Sequence, residues 1–276
     1  MTAIGKNGRD ATAPAALRAA GVRVGYGERT VLDGLELNIA PGTVTAVVGP
    51  NGSGKSTLLK TLARLLRPAE GAVFLDGAAI ASLPTAAVAR RLAVLPQGPT
   101  APGGLTVGEL VEQGRYPHAG PLRMLRMQDH EAIRTALAMT DMAAYVARPL
   151  DGLSGGERQR AWIALALAQD TPTLLLDEPT TFLDIGHQLE VLELIRRLNR
   201  ERGLTIVLVL HSLNQAARYA ERLVVLDRGR IVTDGAPGDV LTTALLAEVF
   251  GVRAHILADP ESGAPLCLPY AVVGRD

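Results

Sequence analysis

One stretch of this sequence has the residue types and the spacing that hold a chain of phosphates. It fits the pattern G-x-x-x-x-G-K-[ST] at every fixed position and comprises Gly49, Pro50, Asn51, Gly52, Ser53, Gly54, Lys55, Ser56 and Thr57. Glycines in such a loop let several backbone N–H groups turn toward one point, where the positive end of a following helix also attracts an anion. Lys55 is then placed to reach the β- and γ-phosphates, and Ser56 to offer its hydroxyl to Mg²⁺. The stretch predicts a site for a nucleoside triphosphate with Mg²⁺.

The segments on either side of this phosphate loop are of the kinds that must position it. An apolar, β-branched run at 43–48 precedes the loop and is typical of a buried strand, and an amphipathic segment at 58–63 follows it and is typical of a helix. The alternative interpretation is a glycine-rich turn from strand to helix that binds nothing. A strand, a complete loop and a helix in this order favour phosphate binding.

A second apolar run, at 173–176, ends in two carboxylates, Asp177 and Glu178. At a strand end Asp177 can hold Mg²⁺ through its water shell together with Ser56, while Glu178 points onward to polarise an attacking water. Two adjacent carboxylates repel each other too strongly for both to be direct ligands unless the cation lies between them. An acidic pair at a strand end is also common on protein surfaces, but beside a phosphate loop the catalytic interpretation is favoured.

Polar or aromatic residues stand at three more points where a predicted strand ends. Gln97 comes just after the run at 92–95, and His211 just after the run at 204–210, where α/β sheets place their ligand contacts. We expect Gln97 to touch Mg²⁺ or the attacking water from a mobile loop. We expect His211 to contact the γ-phosphate; the alternative is an ordinary surface histidine. Tyr26 stands on a turn, where its ring is expected to stack on the base; the alternative is an exposed tyrosine without a ligand.

The residues from Ser154 to Glu157 form a capping box, S-x-x-E, at the start of a predicted helix. Capping alone does not explain Gly155 and Gly156, because glycines in a first turn cost about 1 kcal/mol each relative to alanine. Bare glycines at a helix N-terminus let a phosphate approach the backbone closely. We therefore expect Ser154, Gly155 and Gly156 to contact a phosphate.

The composition limits the classes of partner. Lysine plus arginine (28) equals aspartate plus glutamate (28), so no overall field draws the chain to nucleic acid or to an anionic membrane surface. The longest strongly apolar runs, 161–168 and 204–210, are far shorter than the roughly 20 residues of a membrane-spanning helix. Residues 1–16 lack the apolar core of a secretory signal, and Cys267 is the only cysteine. We expect a cytoplasmic protein that meets any membrane partner through a protein surface.

The predicted elements group into regions. Residues 1–16 predict a mobile extension, and 17–251 an α/β core in which strands alternate with helices. Helical patterns replace this alternation at 106–147, which predicts a helical subdomain inserted at 98–152. Residues 252–276 predict a tail of short strands.

Four further features have structural interpretations. The arginines within 196–202 predict the solvated end of a long helix, whose dipole they complement. Met124 and Met127 are expected to fill gaps in the core, and Cys267 to be a small buried residue and not a nucleophile. The segment at 114–118 is expected to be a loop between helices.

Taken in order, the motifs resemble those of an ATP-binding-cassette (ABC) transporter ATPase. The resemblance spans about residues 19–251 and rests on the phosphate loop, Gln97, Leu153-Ser154-Gly155-Gly156-Glu157, Asp177-Glu178, Asp184 and His211. It implies a P-loop NTPase (RecA-like) core with an antiparallel β subdomain and an inserted α-helical subdomain. Secondary runs are similar to those of importers of iron–siderophore complexes, haem and cobalamin, and they lie at 114–118, 159–169, 180–188 and 259–270. Those runs indicate the subfamily and not the cargo.

The resemblance also implies a division of roles. Two copies pair head to tail, and each ATP lies between the phosphate loop of one copy and Ser154, Gly155 and Gly156 of the other. Tyr26 matches the base-stacking aromatic residue and Gln97 the mobile coupling loop. Asp184 matches the residue that links the two sites, and His211 the γ-phosphate sensor.

The implied assembly is an importer, with this chain at the cytoplasmic face of the cell membrane. An integral-membrane permease presents a short coupling helix to a groove beside Gln97 and the helical subdomain, and a separate binding protein outside the membrane delivers the cargo. No nucleic acid takes part. We expect the chain to hydrolyse ATP and so drive uptake of an iron–siderophore complex or a related metal chelate. Haem and cobalamin are the alternative cargoes.

Two other classes of protein compete with a transporter subunit. A soluble ABC ATPase for DNA repair would carry a long coiled-coil insertion, for which residues 97–153 are too short. A soluble scaffold for cofactor assembly would purify with soluble partners instead of a permease. A P-loop kinase would need a lid over its acceptor substrate, which nothing in the chain resembles, and it would leave Gly155 and Gly156 without a role.

Overall fold

The computed structural model describes residues 15–118 and 126–274. Its strands are β1 (Leu17–Tyr26), β2 (Arg29–Ile39), β3 (Val44–Val48), β4 (Glu70–Leu75), β5 (Ala78–Ala79), β6 (Leu92–Leu95), β7 (Thr173–Asp177), β8 (Thr205–Val209), β9 (Arg222–Asp227), β10 (Arg230–Gly235), β11 (Val252–Ala258) and β12 (Pro265–Val272). Its helices are α1 (Lys55–Leu62), α2 (Thr85–Ala89), α3 (Val107–Glu112), α4 (Met127–Met139), α5 (Gly155–Ala168), α6 (Ile185–Arg202), α7 (Leu213–Tyr219), α8 (Pro237–Val240) and α9 (Thr243–Phe250).

Six strands form the central sheet in the order β10-β9-β3-β8-β7-β6. All neighbours pair in parallel except β10, which is antiparallel to β9. Every residue of β3, β7 and β8 is buried, as expected for parallel strands covered on both faces. Parallel pairing brings the carboxyl ends of these strands to one edge of the sheet. The predicted α/β class is confirmed, and the phosphate loop, Gln97, Glu178 and His211 all follow strands that end at this edge.

A second, antiparallel sheet has the order β2-β1-β4-β5. Its apolar face packs with α1 against the central sheet in one continuous cluster, whose members include Leu17, Leu37, Leu58 and Val207. Strands β1 and β2 have 10 and 11 residues and form the longest pair of this sheet. Because β1 extends to Tyr26, the sheet carries that aromatic residue to the phosphate loop.

Helices α3, α4 and α5 enclose an apolar cluster of their own, which includes Val107, Leu110, Leu137 and Ala164. A buried ion pair lies beside this cluster. The Arg115 Nε donates to Asp129 Oδ1 at 2.9 Å, and its Nη1 donates to the Ala168 carbonyl at 2.8 Å. The predicted loop at 114–118 therefore begins within a 3₁₀ turn, Gln113–Arg115, that inserts a buried arginine between helices.

The arginine-rich end of α6 is not simply a solvated face. Arg197 donates to the Met139 carbonyl at 2.6 Å and pairs with Asp141 at 3.5 Å. Arg202 pairs with Asp170 at 3.3 Å. Arg197, Arg200 and Arg202 are exposed, as predicted for a solvated helix end, and two of them also join the end of α6 to the ends of α4 and α5.

Both ends of the described chain are held by hydrogen bonds. Ala16, the last residue of the predicted mobile extension, is buried and donates its N–H to the Ile39 carbonyl at 2.9 Å; residues 1–14 of that extension lie outside the described residues. β11 and β12 form an antiparallel hairpin. Asn214 of α7 binds this hairpin through the Cys267 backbone, accepting from its N–H at 2.8 Å and donating to its carbonyl at 3.1 Å. Cys267 is buried as predicted, and burial raises the pKa of its thiol.

Met127 is 88% exposed at the start of α4, so the expectation that it fills a core gap is wrong, and Met124 lies outside the described residues. The predicted domain boundaries stay predictions. Within 15–118 and 126–274, no helix combines the length and the apolar character that crossing a bilayer requires.

Candidate functional site

The phosphate loop connects β3 to α1, and its backbone takes conformations that favour glycine. The φ angle is +153° at Gly49 and +104° at Gly54. A Cβ atom on Gly49 would lie 2.0 Å from the Leu226 carbonyl oxygen, so the loop closes against the core only without a side chain there. Gly54 caps α1 without any side-chain hydrogen bond. The N–H groups of the first turn of α1 are therefore available to an anion.

The Lys55 ammonium group is buried at the mouth of the loop. Its Nζ donates to the carbonyls of Gly49 and Pro50, at 2.9 Å each. Burial lowers the pKa of Lys55, and the negative charges of Glu178 and Asp177 act in the opposite direction. An ammonium group so placed can exchange its carbonyl partners for phosphate oxygens, which form stronger, charge-assisted hydrogen bonds.

Three other loop residues fit a phosphate ligand. The Ser53 hydroxyl is buried and lacks a hydrogen-bond partner among the described residues. Asn51 and Gly52 face the open cleft above the loop, and a Cβ atom on Gly52 would meet nothing within 4 Å. Unpartnered polar groups around an open space suit a ligand that is rich in acceptor oxygens, as a triphosphate is.

Asp177, the last residue of β7, is buried beside the loop. Its Oδ1 accepts a hydrogen bond from Ser56 Oγ at 3.0 Å. Burial raises the pKa of Asp177, the Ser56 hydrogen bond opposes that rise, and the neighbouring Glu178 charge adds to it. A hydroxyl and a carboxylate side by side are oxygen ligands of the kind that Mg²⁺ prefers. The structure thus brings together Ser56 and Asp177, two of the three residues that the sequence assigns to the metal, while the third, Gln97, contacts Glu178.

Glu178 is the centre of a cluster at the strand ends. Gln97 Nε2 and Thr181 Oγ1 donate to its Oε2 at 2.6 and 3.0 Å, and His211 Nε2 lies 2.8 Å from its Oε1. Glu178 also has a positive φ of +52°, a conformation that is uncommon for residues other than glycine. The structure therefore groups Gln97, Glu178 and His211, and it adds Thr181, which sequence reasoning missed.

An open cleft of about 490 Å³ joins these groups, a size typical of small-molecule sites. Its lining consists of Tyr26, Arg29, Val31, Asn51, Gly52, Gly54, Lys55, Ser56, Thr57, Glu178 and His211. Tyr26 is 51% exposed, so its ring face is available for stacking. Arg29 and Val31 were not predicted. The hairpin at 26–29 could have indicated them, because its register places Arg29 opposite Tyr26.

Ser154, Gly155, Gly156 and Asp184 do not line this cleft. Ser154 Oγ accepts from the Glu157 N–H at 3.3 Å, and Glu157 Oε2 accepts from the Ser154 N–H at 2.8 Å, which completes the predicted capping box. Gly155 instead lines a second, smaller cleft of about 240 Å³ together with Gln97 and Glu178. Within one chain, the first turn of α5 therefore lies apart from the phosphate loop.

Asp184 caps α6. Its Oδ1 accepts from the His187 N–H, and its Oδ2 lies 2.9 Å from His187 Nδ1. The backbone hydrogen bond, followed by the side-chain one, lowers the pKa of Asp184. Asp184 is consequently an ionised cap on the surface of the chain.

The two glycines after Ser154 have different surroundings. Gly155 is exposed, and a Cβ atom on it would lie 3.3 Å from Leu183 Cδ2. Gly156 is buried, and its Cβ would lie 2.3 Å from Cδ2 of His187 in the same chain. Contact with its own chain therefore explains the glycine at 156, because the His187 ring occupies the space of a side chain there; the predicted contact of both glycines with a phosphate stays a prediction.

Comparison with known proteins places this site in a family. The family model described as "ABC transporter" matches residues 32–181. The iron(3+)-hydroxamate import ATP-binding protein FhuC of Bacillus subtilis (strain 168) is 48% identical over 253 residues, covering 92% of this chain and 94% of that protein. The ferric enterobactin transport ATP-binding protein FepC of Escherichia coli (strain K12) is 49% identical over 255 residues, covering 92% of this chain and 94% of that protein.

Solved structures agree with the sequence relatives. A chain described as belonging to a metal-chelate type ABC transporter in an inward-facing conformation superposes with a TM-score of 0.81 at 27% identity, covering 93% of this chain and 98% of that one. A bacterial ABC transporter cassette solved as a dimer superposes with a TM-score of 0.70 at 29% identity, covering 80% and 98%. With its cleft built for a nucleoside triphosphate, the chain belongs to the ABC transporter family as an ATP-binding protein with the P-loop fold and is an ATPase.

Proposed function

We propose that this chain is the ATP-hydrolysing subunit of an importer for iron–siderophore complexes or related metal chelates. The observation that carries the hydrolytic part is the cluster of Gln97, Glu178 and His211 at the mouth of the phosphate loop. The cargo class rests on the relatives, which are named for the import of ferric hydroxamates and ferric enterobactin and match this chain nearly end to end.

Each group in the cleft has a role in this proposal. Lys55 and the N–H groups of the phosphate loop hold the β- and γ-phosphates, and the Tyr26 ring stacks on the base. Ser56 and Asp177 hold Mg²⁺, which neutralises charge on the phosphates. Glu178 orients the attacking water and accepts its proton. Gln97 and His211 contact Glu178 at rest and are placed to turn toward the metal and the γ-phosphate.

The proposed active unit is a head-to-tail pair of two copies. Ser154 and Gly155 are exposed and lie outside the nucleotide cleft of their own chain, so they are free to contact a nucleotide that a second copy holds. Phe182 and Ile185, on either side of Asp184, are 94% and 77% exposed. Large exposed apolar side chains that lie together mark interaction surfaces. Dimeric cassettes among the similar structures support this pairing.

An integral-membrane permease and an extracytoplasmic binding protein complete the proposed importer, with this chain at the cytoplasmic face of the membrane. The permease is expected to dock beside the Gln97 loop and the helices that follow it. Hemin is the second candidate cargo, because a hemin import ATP-binding protein of Streptomyces coelicolor (strain ATCC BAA-471 / A3(2) / M145) is 44% identical over 255 residues. Cobalamin stays a prediction from the sequence alone.

The test combines purification with uptake. An affinity-tagged chain, extracted with detergent from its own cells, should co-purify with a permease. A strain in which Lys55→Ala replaces the native chain should lose uptake of ⁵⁵Fe-labelled ferric hydroxamate while keeping the protein at its normal level. Loss of hemin uptake instead would assign the second cargo. The proposal would be refuted if the tagged chain purified with soluble partners only and the Lys55→Ala strain took up both iron sources normally.

A further inference from the structure

The first turns of α5 and α6 meet at one contact. Gly156 lies in the first turn of α5 and His187 in the first turn of α6. A Cβ atom on Gly156 would lie 2.3 Å from Cδ2, 2.6 Å from Cγ and 3.0 Å from Cβ of His187. Side-chain atoms do not approach a Cβ atom that closely. The His187 ring therefore lies directly on the Gly156 backbone, and only glycine at 156 permits this.

The opposite edge of the same ring holds Asp184. His187 Nδ1 lies 2.9 Å from Asp184 Oδ2, while the His187 N–H donates to Asp184 Oδ1 at 2.9 Å. An ionised carboxylate can only accept hydrogen bonds, so Nδ1 carries the proton in this contact. Both oxygens of Asp184 are thus fixed by one residue, whose ring packs on Gly156.

A second side chain fixes the neighbouring backbone. Gln188 Nε2 donates to the Leu183 carbonyl at 2.9 Å, and Gln188 Oε1 accepts from Gln215 Nε2 at 2.7 Å. Gln215 lies in α7, which begins just after His211. The loop at 183–184 is therefore held by two consecutive residues of α6, one facing α5 and the other facing α7.

We propose that His187 is a positioning residue that holds the Asp184 loop and the Ser154–Gly156 segment of one chain in fixed relative positions. Under the proposed function, on which this inference rests, both segments face the second copy. His187 itself does not line the nucleotide cleft. Replacing it should therefore impair turnover by the paired chains without changing the affinity of one chain for nucleotide.

The hydrogen bond to Asp184 is tested with two substitutions. His187→Phe keeps a ring against Gly156 but removes the donor, whereas His187→Asn places an N–H donor where Nδ1 was and removes the ring. We expect kcat for ATP hydrolysis to fall about tenfold or more in the Phe variant, since it loses a hydrogen bond to a charged group, and to fall in the Asn variant as well, since it loses the contact of the ring with Gly156. The dissociation constant for a fluorescent ATP analogue with Mg²⁺ should be unchanged in both. A kcat within about threefold of wild type in either variant would overturn the positioning role, because one of the two contacts would then not be needed.

The packing of His187 on Gly156 is tested with a second pair of substitutions. Gly156→Ala should lower the thermal midpoint of the isolated chain, and adding His187→Ala should restore it, because the ring no longer meets the new Cβ. Gly238→Ala is the matched control, since a Cβ atom there meets nothing within 4 Å in the short helix α8. His130→Ala, on the exposed surface of α4, controls for loss of a histidine. A double variant no more stable than Gly156→Ala would overturn the contact.

The kinetic and the thermal measurements together distinguish a failure of this inference from a failure of the proposed function. The thermal midpoints are read on one chain without nucleotide, so they decide the Gly156–His187 contact whether or not the chain pairs. A wild-type chain that neither hydrolyses ATP nor pairs would refute the proposed function and remove the positioning role with it, leaving the contact as packing only. A wild-type chain with normal turnover and a fully active Phe variant would refute the positioning role alone.

Discussion

Replacing Glu178 by glutamine removes the proposed base with little change of shape. The carboxylate accepts from Gln97 Nε2 and Thr181 Oγ1 on one oxygen and lies 2.8 Å from His211 Nε2 on the other. A glutamine at 178 can keep all three contacts, because the Gln97 amide can rotate to present its oxygen and the Thr181 hydroxyl can accept as well as donate. The positive φ at 178 suits glutamine no less than glutamate, so the backbone strain is unchanged.

The expected loss of rate exceeds the expected loss of stability. The glutamine keeps neutral versions of the three contacts, so each loses less than about 1 kcal/mol in the folded chain, and the contact to His211 loses least because that side chain is half exposed. Removing a general base lowers the rate by roughly 10² to 10⁴, or about 3–5 kcal/mol in the activation barrier. Affinity for MgATP should persist or increase, since a negative charge beside the γ-phosphate is removed.

The assay measures phosphate release at saturating MgATP and nucleotide affinity on the same preparation. The glutamine variant should release phosphate at least about a hundredfold more slowly, and should accumulate as an ATP-bound pair on size exclusion if the chain pairs without its permease. Glu248→Gln is the matched control, because Glu248 is exposed on α9 and forms no ion pair among the described residues. Wild-type hydrolysis by the Glu178→Gln chain would refute the assignment of the base, and Gln97 or His211 would be the next candidate to position the water.

Three further changes test other parts of the site and the fold. Asp177→Asn should raise the Mg²⁺ concentration needed for ATP binding, measured by titrating the metal. Because burial raises the pKa of Asp177, protons should compete with Mg²⁺ for the wild-type carboxylate at a higher pH than they would for an ordinary aspartate. The Asn variant should lose this pH dependence. Gly155→Leu should leave ATP binding by one chain nearly intact and abolish turnover, since residue 155 is exposed and only the Leu183 side chain must give way; normal turnover would mean that Gly155 serves only the helix start. Arg115→Met should lower the free energy of unfolding by about 3–5 kcal/mol, measured by urea denaturation at pH 7, because Asp129 is left buried without its partner. The pKa of Asp129 is lowered in the fold although burial alone would raise it, so this contribution is complete above the unfolded pKa near 4 and is lost as the pH falls through the folded pKa; an equal effect at pH 2 and pH 7 would contradict this assignment.

The groups around the phosphates could be predicted because their positions follow from strand ends. Gln97, Glu178 and His211 lie far apart in sequence, yet each comes just after a strand of one parallel sheet, and parallel strands deliver their carboxyl ends to the same edge. The bond from Gln97 to Glu178 and the contact from His211 to Glu178 are the result. Thr181 escaped prediction because its contribution depends on the left-handed backbone at Glu178, which no sequence pattern there indicates.

The contacts between helices could not be predicted, because periodicity reports which face of a helix is buried and not what it meets. The arginines at the end of α6 have the spacing of a solvated helix end, but α4 and α5 end nearby and offer Met139, Asp141 and Asp170 as partners. Met127 belongs to an amphipathic helix, but it is the first residue of α4 and precedes the buried residues of that helix. We expected Gly156 to contact a phosphate, because the sequence does not show that His187 of another helix lies against it.

One short segment connects the groups that face the nucleotide to those that do not. It begins at Glu178, whose φ is +52°, passes Phe182, whose φ is +65°, and ends at His187 on the α5 contact. Left-handed conformations at residues other than glycine cost of order 1 kcal/mol each and persist only where the surroundings hold them. Here the holding contacts are the Thr181 hydroxyl on Glu178 and the Gln188 amide on the Leu183 carbonyl. The segment therefore joins Asp184, which faces the second copy if two copies pair as proposed, to the proposed base Glu178.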